Sequence, residues 1–187
     1  MSGKAMRGYF GVGVEGISKE QNAGTIVRTT HAFGGSFFFT VKPSVDMQEL
    51  RVSDTSGAFD HLPYYQYHTP NELKLPKGCV LVGVELTEDA IELPSFRHPL
   101  RAAYVLGPEM GSLSAAMVER CDHVVQIPMK FCVNVGVAAA LTLYDRMLCL
   151  GRFAERPVRP GGPLLASDNL LPREHRRKVR RKNPDTL

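Results

Sequence analysis

The sequence predicts one α/β domain built on a parallel sheet, followed by a basic tail. Over the first 151 residues, short apolar runs rich in β-formers alternate with helical patterns, the order a parallel α/β sheet requires. Residues 80–86 and 102–106 are nearly continuous in apolar side chains, as strands covered on both faces are. Beyond Gly151 the alternation gives way to prolines, glycines and then a run of cations.

Taken in order, residues 9–14 read as a strand. Residues 22–33 form a helical pattern with Ile26, Val27 and Thr30 near one face and Asn22 placed to act as its N-cap. Residues 36–40 are a compact aromatic strand closed by Lys42-Pro43, and residues 46–63 read as a short helix and loop. Residues 64–67 fit an edge strand. After the strands at 80–86 and 102–106, residues 114–120 make a short helix and residues 123–127 another strand. Residues 133–150 are the strongest helix, rich in Ala and Leu, with Gly151 as its stop.

Domain boundaries follow composition. Residues 1–151 carry 13 Lys/Arg against 15 Asp/Glu, a net −2, whereas residues 152–187 carry 10 against 4, a net +6. Pro157, Pro160, Gly161, Gly162 and Pro163 mark a linker, and residues 173–182 then hold seven Lys/Arg. A near-neutral body with a basic end suits a polyanionic partner met at that end. No stretch reaches the ~18 apolar residues of a membrane span, and the N-terminus carries no signal-peptide core. Cys79, Cys121, Cys132 and Cys149 are too scattered for a zinc site or a disulfide framework. His31, His61, His68, His98 and His123 show no ligand spacing, so no metal is expected. These features predict a cytoplasmic protein with neither membrane nor metal partner.

Gly11-x-Gly13-x-x-Gly16 follows the first strand and matches a dinucleotide-binding pattern. A polar loop, Ser18-Lys19-Glu20-Gln21, follows it, and the next strand ends without a carboxylate. It therefore reads as a glycine-rich strand packed closely against its neighbours.

Three blocks carry the chemistry. The first, Asn22-Ala23-Gly24-Thr25-Ile26-Val27-Arg28, places an amide and a guanidinium on one helix; alone it reads more readily as a cap and a surface cation in an ordinary ion pair than as a site. The second, Leu106-Gly107-Pro108-Glu109-Met110-Gly111-Ser112-Leu113, is a stiffened loop at the carboxyl end of a strand, where ligands of α/β proteins bind. Its glycine permits close approach of a ligand to backbone, and its glutamate is either a site carboxylate or a helix-capping acid. The third, Ile127-Pro128-Met129, leads through Cys132-Val133 to Asn134 at the start of the long helix.

Together, Asn-x-Gly-x-x-x-Arg, Leu-Gly-Pro-Glu-x-Gly-Ser-Leu and Ile-Pro-Met with its following Asn-Val helix resemble the SpoU-type branch of the SPOUT methyltransferases over residues 8–151. The resemblance implies a single SPOUT domain whose C-terminal segment threads a deep trefoil knot, an exception to the rule against knots. It implies a homodimer and S-adenosylmethionine as cofactor. Gly107, Ile127, Met129, Cys132 and Val133 would hold the cofactor, with Glu85 and Leu86 as a further wall. The implied reaction is methyl transfer to a ribose 2′-hydroxyl of tRNA or rRNA, with Arg28, Asn22, Glu109 and Asn134 as the catalytic positions. Arg28 would meet RNA phosphate; an ordinary arginine stays protonated, which favours stabilisation of a developing alkoxide over service as a base. One departure stands out. Only six residues separate Ile127 from Asn134, fewer than relatives commonly carry, and Cys132-Val133 stands where Ser-Leu is expected.

In the tail, Arg176, Arg177, Lys178, Arg180 and Arg181 either contact RNA phosphates or form a solvated run. Tyr64, Tyr65 and Tyr67 suit either base stacking or edge-strand packing. Two rival functions share the fold, a non-catalytic knotted RNA-binding module and a SPOUT methyltransferase acting on a base nitrogen.

Overall fold

The computed structural model describes residues 8–47, 57–156, 158 and 160–162. The chain divides into two units, Met1–Gly151 and Arg152–Leu187. In the first, β1 (Phe10–Glu15) leads to α1 (Glu20–Ala32) and β2 (Phe37–Val41). Then come α2 (Ala58–His61), β3 (Tyr64–Tyr67), β4 (Val80–Val84), β5 (Ile91–Glu92) and β6 (Ala102–Leu106). The unit closes with α3 (Ala115–Arg120), β7 (His123–Gln126) and α4 (Val135–Leu150). Short 3-10 turns occupy Pro70–Glu72 and Leu93–Ser95. The tail cations Arg176, Arg177, Lys178, Arg180 and Arg181 lie outside the described residues.

The seven strands form one sheet in the order β3-β2-β1-β6-β4-β7-β5, and every pairing is parallel. The central strands β1 and β6 are buried throughout, which accounts for their nearly unbroken apolar sequence. β3 is an edge, as expected of residues 64–67. β5 was not foreseen: two residues are too few for periodicity to register.

Alternation along the strands divides the core. Phe10, Val12, Val14, Phe38, Tyr104 and Val82 pack toward α1 and α4. Phe37, Phe39, Val41, Leu81, Ala103 and Val105 pack on the other face with Leu113 and Met117. Gly11 and Gly13 lie on this second face, where a Cβ on either would collide with the rings of Phe37 and Phe39. The glycine pattern therefore serves close packing inside β1 and does not form a cofactor loop.

Two helix starts bear on the site. α1 begins earlier than the sequence indicates: its N-cap is the extended Lys19, whose carbonyl accepts from the amides of Asn22 and Ala23. Asn22 is thus the third helical residue and not the N-cap. α4 begins at Val135, two residues later than expected, because Asn134 is its N-cap and accepts from the amide of Gly136 (2.8 Å). Gly136 lets the helices approach, since a Cβ there would sit 2.7 Å from Thr25. Gly151 ends α4 in an extended conformation, φ −78°.

At the far end of α4, Arg146 is buried. It donates to the carbonyls of Pro99 (2.5 Å) and Leu100 (2.9 Å) and to the Tyr104 hydroxyl (3.2 Å). His98 joins Tyr104 to Asp145. This cluster ties the chain entering β6 to the last turns of α4.

Candidate functional site

The carboxyl ends of β4, β6 and β7 open onto one cleft of about 360 Å³, a volume within the range of small-molecule sites. Val84, Glu85 and Leu86 come from the end of β4, Leu106 to Glu109 from that of β6, and Ile127 and Met129 from that of β7. Cys132, Val133 and Asn134 close it with the first turn of α4, and Lys19 and Asn22 reach in from α1. All seven residues expected to hold a cofactor line this cleft, as do Asn22, Glu109 and Asn134.

The three polar residues form one network. Asn134 donates from Nδ2 to Oδ1 of Asn22 (2.9 Å), and Asn22 donates from Nδ2 to Oε1 of Glu109 (3.0 Å). That same oxygen accepts from the amide of Lys19 (3.0 Å), while Oε2 accepts from the amide (3.1 Å) and hydroxyl (2.9 Å) of Ser18. Glu109 thus holds the segment entering α1 from 90 residues away in sequence, near a helix N-terminus, a favourable place for a negative charge. Burial pushes its carboxyl up, but the hydrogen bonds from Asn22, Ser18 and backbone outweigh that and hold it below the usual carboxylate value.

Two further carboxylates fix the loop after β6. Glu85 accepts from the amide of Leu113 (2.6 Å) and from that of Leu86 (2.8 Å). Glu15, buried at the end of β1, accepts from the amide (2.8 Å) and hydroxyl (2.7 Å) of Ser114, the N-cap of α3. Between them Gly107 is crowded: a Cβ would lie 3.1 Å from both Glu85 Oε2 and the Leu113 amide, so that a neighbour would have to shift by a few tenths of an ångström. These bonds hold the loop where Gly107, Pro108, Glu109 and Gly111 line the cleft.

Arg28 stands apart. It lies on the exposed side of α1, about 9 Å along the axis from Asn22 and roughly 120° around it. It does not line the cleft, and no hydrogen bond or ion pair of Arg28 occurs among the described residues. Sequence reasoning missed Ser18, Lys19 and Glu15. Lys19 acts through its backbone amide, which leaves no residue-type signature, and Ser18 through its amide and hydroxyl in a polar loop without a motif; Glu15, an acid at a strand's carboxyl end, could have been found. Among the described residues, no cluster of three or more His, Cys, Asp or Glu could hold a metal.

Comparison with known proteins gives a consistent family. The model of the SpoU rRNA Methylase family matches residues 10–144. A Staphylococcus aureus (strain COL) protein assigned to the TrmH family of tRNA/rRNA methyltransferases is 28% identical over 140 residues, which cover 71% of this chain and 56% of that protein. The chain thus spans little more than half the length of that relative. Among solved structures, the SpoU methyltransferase AviRb from Streptomyces viridochromogenes, in complex with AdoMet, superposes with a TM-score of 0.65 at 25% identity. That match covers 76% of this chain and 60% of AviRb. An rRNA methyltransferase from Sinorhizobium meliloti shares the fold, with a TM-score of 0.69 at 19% identity, covering 78% of this chain and 58% of that one.

Proposed function

We propose, from the premise that this chain belongs to the SpoU rRNA Methylase family, that it transfers a methyl group from S-adenosylmethionine to a ribose 2′-hydroxyl of tRNA or rRNA. The observation that carries this reading is convergence. The three sequence blocks, far apart in the chain, meet at one cleft, where Asn22, Glu109 and Asn134 are joined by hydrogen bonds.

The residues present fit the cofactor. The cleft offers apolar walls at Val84, Leu86, Leu106, Ile127 and Val133 for an adenine, and two carboxylates, Glu85 and Glu109, suit a cationic sulfonium. The crowding around Gly107 leaves backbone, not side chain, to meet the ligand. Gly107, Ile127, Met129, Cys132 and Val133 hold the cofactor on this reading, with Glu85 and Leu86 as the outer wall. When bound, it supplies an already activated methyl group. The protein's part is then alignment, and stabilisation of the oxygen that loses its proton. Glu109, Asn22 and Asn134 lock the loop after β6 to the starts of α1 and α4, so the reacting groups meet a fixed frame.

Arg28 remains cationic and stabilises the developing alkoxide beside a phosphate. Because Arg28 lies outside its own chain's cleft, it works in a homodimer, at a site completed by a second copy. Support comes from Val137, Leu141 and Tyr144, an exposed apolar stripe at i, i+4 and i+7 on α4, the helix packed against α1. The knot belongs to the same reading; β7, last of the strands, inserts between β4 and β5 before the chain turns into α4. Residues 1–151 act as the catalytic domain. Residues 152–187 act as linker and basic tail, with Arg176, Arg177, Lys178, Arg180 and Arg181 on phosphates. The protein works in the cytoplasm; no helix among the described residues is long and apolar enough to cross a membrane.

Calorimetric titration with S-adenosylmethionine tests the reading. Saturable binding is expected, and a folded protein that takes up none would overturn it. Arg28→Ala should keep cofactor affinity and lose methyl transfer, whereas full transfer by that variant would remove Arg28 from the mechanism.

A further inference from the structure

A second cavity, of about 400 Å³, lies on the sheet face away from α1 and α4. Its lining is aromatic to an unusual degree: Tyr9, Phe37, Phe39, Tyr65 and Tyr67, closed on one side by residues 73–76. The rings are ordered against one another. Tyr9 stacks on Phe37 with centroids 5.5 Å apart, Phe37 on Phe39 at 6.1 Å, and Tyr65 meets Phe37 edge-on at 6.5 Å. Gly11 and Gly13 make this possible, because any side chain there would lift the phenylalanine rings off the sheet.

The inner rings are core, whereas the outer ones are not. Phe37 and Phe39 are buried, but Tyr9 is 41% and Tyr65 50% exposed. The tyrosines of β3 divide accordingly. Tyr64 turns to the helical face, stacked on Phe38 and hydrogen-bonded to Thr40. Tyr67 donates to the carbonyl of Lys74 (3.0 Å) and anchors the wall of the cavity. Tyr65 keeps an open ring face.

The rim is cationic. Lys74 lines the cavity and Lys77 follows its last lining residue, Pro76. Arg101 precedes Ala102, whose amide donates to the carbonyl of Tyr9, and its guanidinium lies over Gly78. None of these three cations pairs with a carboxylate among the described residues. Asp122, just before β7, turns its carboxylate to the amide of Leu81 (2.8 Å), and Glu72, past the carboxyl end of β3, turns its own to the amide of His68 (3.0 Å).

Open aromatic faces beside unpaired cations are the combination that holds an unpaired nucleobase and its phosphate. A basic segment of the chain's own tail, with seven Lys/Arg in residues 173–182, matches this rim poorly by charge. We infer that the cavity formed by Tyr9, Tyr65 and Lys74 is a second RNA subsite, taking an unpaired base of the substrate outside the methylated nucleotide. It runs over the sheet face from Tyr9 before β1 to Phe39 on β2 and Tyr67 on β3, and shares no lining residue with the cleft at the carboxyl ends of β4, β6 and β7. The inference rests on the reading that this chain acts on RNA, and adds a position at which the RNA is recognised.

The test is fluorescence anisotropy with a fluorescein-labelled single-stranded RNA, and a fully paired duplex for comparison, on the full-length chain. Tyr65→Ala should weaken single-strand binding about ten-fold. Tyr65→Phe should keep it, and Lys74→Gln should lower the salt slope by about one. Duplex binding should change little in the tyrosine variants. With a 4-thiouridine-labelled strand, cross-links should be recovered on peptides containing Tyr9 or Tyr65. Single-strand affinity unchanged in Tyr65→Ala overturns the subsite. If that variant instead melts lower at equal affinity, a segment of the chain covers the cavity; if it loses only self-association, a second copy does. Either result also overturns the subsite. Calorimetric binding of S-adenosylmethionine reports separately on the methyltransferase reading, so the two can fail independently.

Discussion

Glu109→Gln offers a quantitative check on how the cleft is held together. In the wild type, one carboxylate oxygen accepts from Lys19 and Asn22 and the other twice from Ser18. An amide keeps one oxygen and turns an NH2 group toward the other pair of donors. Two bonds are lost, and the remaining two lose their charge assistance. Hydrogen bonds to a charged group contribute about 1.5–3 kcal/mol each, and solvent screening of this partly exposed site reduces the total to about 2 kcal/mol. For a chain of this size that is a fall in Tm of about 4–8 °C. The pH dependence supplies a second check. The Glu109 carboxyl is held below its ordinary value in the fold. Its stabilisation is therefore complete above the ordinary carboxylate range and disappears as pH falls through the folded value. The gap between wild type and Glu109→Gln should be open at neutral pH and close below about pH 4. Thermal unfolding across pH measures both. A neutral-pH gap under about 0.5 kcal/mol, or one that persists in acid, would refute the network as described.

Three further outcomes follow. Gly107→Ala places a Cβ 3.1 Å from Glu85 Oε2 and the Leu113 amide, so cofactor affinity should fall about ten-fold through displacement of the loop; an unchanged Kd in calorimetry would contradict this. Burial pushes the Cys79 thiol up to about 11 and the Cys121 thiol up to about 12, whereas Cys132 and Cys149 are exposed. Alkylation at pH 8, followed by mass spectrometry, should mark Cys132 and Cys149 first, and S-adenosylmethionine should slow Cys132 alone; equal protection of both would argue against the cleft. Arg146→Met leaves the Pro99 and Leu100 carbonyls without their donor and should cost about 3 kcal/mol in chemical denaturation. A loss under about 1 kcal/mol would show that the buried cluster does little to hold β6 to α4.

Much of the fold was legible because it is written in side chains. The apolar runs of β4 and β6 and the small-residue helix ending at Gly151 all mark elements that exist. Asn134 was legible as the start of the long helix because its side chain lies beside the backbone it serves. Asn22 was misread for the converse reason: the segment entering α1 is held from a distance by Glu109, and a contact across 90 residues has no local pattern. The cleft was legible at Gly107, Glu109 and Ile127, where ordered motifs name the loops, but not at Lys19, which contributes a peptide group, or at Ser18, whose amide and hydroxyl meet Glu109 from a loop without a motif. Position around a helix decided the remaining case. Six residues place Arg28 away from Asn22, and nothing in a single chain brings it back.

The central claim is ribose methylation, and the most direct measurement maps 2′-O-methyl groups in total RNA from cells with and without the gene. One or a few marks should vanish from tRNA or rRNA, and should return with the wild-type chain but not with Arg28→Ala. An unchanged map, or a lost methyl group on a base nitrogen, would contradict it.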